Sequence, residues 1–144
     1  MTMKKIEIDT FLKFRFLSNP HFSPDGTKIA FTVSVPDRET NGYLSDLYLY
    51  DLGKKTVSRV TCAGDAKIWS WTAENTLIFT AARTAALKKE KENGTSFLYE
   101  ISPSGGEAQC ITSIPATVTG IRLLPNGRYL LTIRHDNYRD TRKK

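Results

Sequence analysis

The chain is poor in the residues that most often carry chemistry. Two histidines and two cysteines occur in 144 residues. A zinc or calcium site needs at least three convergent ligands, and His135-Asp136 offers a pair of donors with nothing at suitable spacing to join them. Cys62 and Cys110 occupy corresponding places in two similar segments. That fits buried or edge positions of a repeat better than a mutual bond or a metal site, so free thiols are expected. Also missing is Gly-x-Ser-x-Gly, the elbow that holds a nucleophilic serine clear of a sheet beside its oxyanion donors. His21 precedes a Phe that is expected to point inward in a first strand, and His135 ends a last one; both read as strand residues rather than bases. Ser104-Gly105-Gly106 lacks the strand-to-helix setting and the lysine of a phosphate cradle, and reads as a hairpin turn. No catalytic, cofactor-binding or metal-ligating residue is assigned, and no cofactor is expected.

Long apolar runs are missing too. No window approaches the roughly 18 apolar residues of a membrane span. The opening MTMKKIEID places acids where a signal peptide needs an apolar stretch. A cytoplasmic protein without membrane contact is expected, which leaves the acceptor pattern Asn93-Gly94-Thr95 without meaning. A hydrophobic fraction of 40% and a charged fraction of 25% suit one soluble globular domain. The net charge of +6 invites a nucleic-acid partner. Its distribution argues against one: Arg134, Arg139, Arg142, Lys143 and Lys144 crowd the end against Asp136 and Asp140, while elsewhere the two signs are mixed.

What the chain does contain is a repeat. Phe22-Ser23-Pro24-Asp25-Gly26-Thr27-Lys28-Ile29-Ala30-Phe31-Thr32 has a worn counterpart in Trp71-Thr72-Ala73-Glu74-Asn75-Thr76-Leu77-Ile78-Phe79-Thr80. A clearer one is Leu123-Leu124-Pro125-Asn126-Gly127-Arg128-Tyr129-Leu130-Leu131-Thr132. Each copy is an inward apolar residue, a turn, and a strand ending in Phe or Leu before Thr. Pro presets the turn, Asp or Asn bonds to the backbone that follows, and Gly26, Asn75 and Gly127 supply positive φ.

A second half-repeat follows the first two copies. Leu47-Tyr48-Leu49-Tyr50-Asp51 leads past Gly53 into Val60-Thr61, and Leu98-Tyr99-Glu100-Ile101-Ser102 leads past Gly105-Gly106 into Ile111-Thr112, with identical spacing. Two hairpins per unit make four strands, and units of about 50 residues with four short antiparallel strands are the mark of a propeller blade. The expected fold is all-β: a partial β-propeller of about two and a half four-stranded blades with a short N-terminal helix or arm. The expected division is a leader over residues 1–18, blade one over 19–62, blade two over 67–112 with a helical insertion near 83–94, and half of blade three with a basic tail over 117–144. Trp69, Trp71, Phe79, Tyr48 and Tyr99 are expected to fill blade cores rather than stack on a ligand. Asp9 is the N-cap candidate of the leader, and the polar stretch Pro36 to Gly42 reads as a long connection. Two and a half blades cannot close a ring of typically 4–8. The chain is therefore expected to be the opening part of a longer protein, or to cover its open edges by self-association or a partner.

The leader Ile8-Asp9-Thr10-Phe11-Leu12, the run Ser18 to Phe31 with its Ser-Pro-Asp-Gly turn, then Asp46-Leu47-Tyr48-Leu49-Tyr50-Asp51-Leu52 and Val60-Thr61 together resemble the propeller start of the prolyl oligopeptidase family of serine peptidases. The acylaminoacyl-peptidase and dipeptidyl-peptidase-like branch matches best. Thr72-Ala73-Glu74-Asn75 departs from the pattern. The resemblance implies a gate over a C-terminal α/β-hydrolase domain outside this chain, admitting short peptides and excluding folded proteins. The same hairpin marks non-catalytic propellers, including those of the TolB type, so a propeller that serves only as a protein-interaction module is the alternative.

Overall fold

The computed structural model describes residues 5–134, and the tail from His135 to Lys144 lies outside the described residues. The chain divides between Lys67 and Ile68 into two compact units.

In the first unit four strands follow one another in sequence and in space: β1 (Phe16–Phe22), β2 (Lys28–Asp37), β3 (Gly42–Asp51) and β4 (Thr56–Arg59), all antiparallel. The Ser-Pro-Asp-Gly turn sets the β1–β2 register. Gly26 N–H donates to Ser23 O (2.8 Å) at φ +70, and Ser23 N–H closes onto Lys28 O (2.8 Å). The Asp25 carboxylate gathers Ser23 Oγ at 2.6 Å, Thr27 N–H at 3.0 Å and Thr27 Oγ1 at 2.8 Å. These donors, Ser23 first, draw its pKa down from 3.8 to about 2.

Alternation sorts the sheet into two faces. Ala30, Leu47 and Leu49 are buried on one; the other carries the facing pairs Phe31–Tyr48, Ile29–Tyr50 and Tyr50–Val57. The stretch from Pro36 to Gly42 is shorter as a loop than its polarity suggests. Pro36 and Asp37 pair with Tyr43 and Gly42, and Asp37 Oδ2 caps the turn by accepting from Thr40 N–H (3.0 Å) and Thr40 Oγ1 (2.6 Å). Before the sheet, Ile8–Lys13 form a 3-10 helix capped at Glu7 without a side-chain bond, so Asp9 is not the N-cap; it pairs instead with Arg38 at 3.7 Å.

The second unit holds a second sheet in the same order: β5 (Trp69–Trp71), β6 (Leu77–Thr80), β7 (Ser96–Ile101) and β8 (Gln109–Ile114). The pair β9 (Thr117–Leu123) and β10 (Tyr129–Arg134) follows, with β9 lying against β5. Its turns repeat the first. Asn75 at φ +62 and Gly127 at φ +75 close onto Thr72 O and Leu124 O at 3.2 and 3.0 Å. Arg128 N–H finds Asn126 Oδ1 at 3.1 Å, as Thr27 finds Asp25.

Between β6 and β7 stands helix α1 (Ala85–Glu92), capped by Thr84 Oγ1 accepting from Leu87 N–H at 3.2 Å and ended by Asn93 and Gly94 (φ +93). Trp69, Trp71, Leu77, Phe79, Tyr99 and Ile101 share one buried face of this sheet, each fully buried Leu or Phe contributing about 1.5–3 kcal/mol. The cross-strand aromatic pair recurs between the sheets: Phe31–Tyr48 and Phe79–Tyr99 both have ring centroids 6.0 Å apart.

Candidate functional site

The residues weighed for chemistry in the sequence do not converge. His21 is exposed, its Nδ1 3.2 Å from the Asn19 carbonyl oxygen. Ser104 to Gly106 form the β7–β8 turn, with Gly105 N–H donating to Ser102 O at 3.0 Å. Cys62 and Cys110 are exposed free thiols, Cys110 on the outer strand β8. Among the described residues no three His, Cys, Asp or Glu side chains gather as metal ligands, and no helix is long and apolar enough to cross a membrane.

Phe22 is not the inward residue that the repeat suggests. It is 63% exposed, as are Leu17 (66%) and Val57 (60%). The cause is position: β1 is an edge strand, exposed along its whole length. Leu17, Pro20, Ile29, Phe31, Tyr50 and Val57 line an apolar groove of about 330 Å³ on this sheet. A second exposed surface is aromatic. Phe11, Phe14, Phe16 and Tyr43 touch ring to ring, centroids 5.7–6.5 Å apart, yet each stays at least two-fifths exposed.

A buried polar node, which the sequence repeat does not announce, fastens the segment after β4. Asp46 is 6% exposed. Its carboxylate accepts from Arg59 Nη2 (2.7 Å), Thr61 Oγ1 (2.8 Å) and Gly64 N–H (3.0 Å). Thr61 Oγ1 in turn accepts from Leu47 N–H (3.0 Å), and Arg59 Nε donates to Thr61 O (2.9 Å). The demand of this node explains why β4 stops at Arg59 and leaves Val60-Thr61 outside the strand, with Val60 N–H turned to Leu47 O. Ser45 then bonds Gly64 O and Ala66 N–H, both at 2.9 Å, in a short parallel bridge.

In the second unit the corresponding place is open. A cleft of about 360 Å³ lies among the end of α1, the start of β7 and the segment 115–118 that leads into β9, with Arg134 in its lining. Nearby, Arg83 lies over the Phe79 and Tyr99 rings at 5.7 and 5.4 Å.

Two consecutive four-stranded antiparallel sheets and half of a third, with matching turns and matching aromatic pairs, make this chain a partial β-propeller of about two and a half blades, preceded by a short helix. The solved structures agree. An acylaminoacyl peptidase of Pyrococcus horikoshii superposes with a TM-score of 0.63 at 17% identity, over 85% of this chain and 18% of that one. The β-propeller domain of the Trilobed protease from Pyrococcus furiosus, which has an open velcro topology, superposes with a TM-score of 0.59 at 15% identity, over 84% of this chain and 34% of that one. By sequence, the uncharacterized peptidase YuxL of Bacillus subtilis is 29% identical over 133 residues, which is 90% of this chain and 19% of that protein. The chain thus spans about a fifth of the length of this curated relative. No family model matches the chain.

Proposed function

We propose that the chain is the N-terminal part of the substrate-gating propeller of a cytoplasmic serine peptidase of the prolyl oligopeptidase family, acting on short peptides. In this reading blade one covers residues 19–62, blade two 67–112, and the first half of blade three with a basic tail 117–144, and the catalytic α/β-hydrolase domain lies outside the chain. The observation that carries it is the likeness over nine-tenths of the chain to a bacterial peptidase about five times its length. The propeller portion supplies no nucleophile. Its part is steric: packed blades around a narrow channel pass an extended peptide and stop a folded domain. The open groove of the first sheet receives a further blade in the complete ring, and in the isolated chain it is a face for self-association.

The test is the complete polypeptide that contains this chain. It carries Gly-x-Ser-x-Gly followed by Asp and then His, hydrolyses short peptide substrates, spares the same sequence inside a folded protein, and loses activity when that serine becomes alanine. A parent polypeptide that ends once its blades are complete overturns the reading.

A further inference from the structure

In the register that equates Tyr48 with Tyr99, the residues Leu44, Ser45 and Asp46 correspond to Thr95, Ser96 and Phe97, and Gly64 corresponds to Pro115. The first unit closes this place. Gly64, at φ +76, admits Leu44 so tightly that a Cβ would meet Leu44 Cδ2 at 3.0 Å. The Asp46 carboxylate holds Gly64 N–H, and Ser45 zips onto the connection.

The Leu44–Gly64 contact and the Asp46 carboxylate have no counterpart in the second unit, and the serine that remains, Ser96, holds the connection differently. Phe97 has no carboxylate to offer, and Pro115 has no N–H to be held. Thr95 N–H turns back to Glu90 O at 3.1 Å. The connection is joined to β7 through Val118 N–H donating to Ser96 Oγ at 2.8 Å. What is shut in one repeat stands open in the next, beside the end of the inserted helix, and insertions into single repeats often map to the binding face of a repeat protein.

The lining shows what the opening suits. Phe97 and Pro115 give an apolar floor, Thr95 and Thr117 give hydroxyls, and Lys91 and Arg134 bring cations from α1 and from the end of β10. Neither cation has an ion-pair partner among the described residues. One acid, Glu92, shares the lining and is engaged in a contact of its own. Of the carbonyls ending α1, Lys89, Glu90 and Lys91 O already accept from Asn93, Gly94 and Thr95 N–H, which leaves Lys91 and Arg134 to supply the attraction for an anion. An apolar floor with a few convergent polar groups and two cations that have no ion-pair partner among the described residues fits an organic carboxylate next to a small apolar residue.

We propose that this cleft binds the carboxylate of a short peptide, with Lys91 and Arg134 as the anion-binding residues. The identity of the ligand as a peptide rests on the peptidase reading above, whereas the preference for carboxylate rests on the cleft alone.

The experiment uses the full chain and three probes: the tripeptide Ala-Ala-Phe, its C-terminal amide, and the amide of Ala-Glu-Phe, followed by calorimetry and by the amide NMR shifts of Gly94, Thr95 and Ser96. The free acid binds and moves these signals, and the plain amide binds about tenfold or more weakly. The Glu-containing amide separates a chain end from an acidic side chain as the source of the carboxylate. Lys91→Gln and Arg134→Gln, both exposed positions, each weaken acid binding about tenfold, while Lys88→Gln on the same helix leaves it unchanged. Equal binding of acid and amide, or insensitivity to both cleft substitutions, overturns the assignment. Neither result depends on whether a hydrolase domain follows, so a parent polypeptide without one removes the peptidase reading and leaves the carboxylate preference to be judged on these data.

Discussion

Arg59 Nη2 meets Asp46 Oδ2 at 2.7 Å across a boundary of exposure: the Asp46 side chain is 8% accessible and that of Arg59 is 49%. The acid is the fixed member and the guanidinium reaches in from solvent. Removing the acid therefore strands more than it frees. In Asp46→Ala the Thr61 hydroxyl and Gly64 N–H lose their acceptor, at a cost of about 1–3 kcal/mol. Arg59→Ala costs less, since Thr61 and Gly64 still serve the carboxylate. The double substitution costs less than the sum of the two, because the pair is coupled. Urea denaturation of the three variants measures this.

Asp25 makes the first turn sensitive to acid. Ser23 and Thr27 donate to its carboxylate and hold its pKa near 2 instead of 3.8. A folded pKa below the unfolded one means that the turn's contribution is complete above pH 3.8 and fades as pH falls towards 2. The stability gap between the protein and Asp25→Asn is accordingly constant near neutrality and narrows on acidification. Urea midpoints taken from pH 6 down to pH 2, with an NMR titration of the Asp25 carboxyl, check the direction.

Gly127 and Asn75 hold the same left-handed position in successive turns, at φ +75 and +62. A Cβ on Gly127 meets nothing within 4 Å, so any penalty there comes from the backbone alone. Gly127→Ala costs about 1–2 kcal/mol, Gly127→Asn costs less, and Asn75→Gly is neutral or slightly stabilising. Thermal unfolding ranks them.

The open groove on the first sheet governs behaviour in solution. Leu17 and Val57 are two-thirds and three-fifths exposed on its walls. Leu17→Ser with Val57→Ser changes stability by about 0.5 kcal/mol or less and shifts the chain towards monomer. Sedimentation velocity over a concentration series detects the difference, and an unchanged distribution would show that the groove takes no part in association.

The architecture was readable because its signals are local and repeated. Ser-Pro-Asp-Gly and Leu-Pro-Asn-Gly specify a turn within four residues, and the equal interval from Tyr48 to Thr61 and from Tyr99 to Thr112 ties one hairpin to the next. The polar node was not readable. Its members, Asp46, Arg59, Thr61 and Gly64, come together only after β3 and β4 have paired, and Phe97 stands where a second Asp46 would have betrayed a rule. Phe22 misled for a related reason: alternation assigns a side chain to a face but cannot say whether anything covers that face. The cleft depends on how the β7 start and the following connection pack in space, and its one trace in the sequence is Pro115 in the place of Gly64. Asp9 failed as a cap because the 3-10 helix begins one residue before it, at Ile8, which puts the aspartate inside the first turn.

The margin of the first sheet carries one more consequence. At Asn19 the backbone turns left-handed (φ +55), the register of β1 slips between Ser18 and His21, and Pro20 withholds a donor. A further strand laid along this margin would find its hydrogen-bond ladder interrupted midway. Oily side chains can still bring molecules together flank to flank, but this margin offers no continuous template for strand addition.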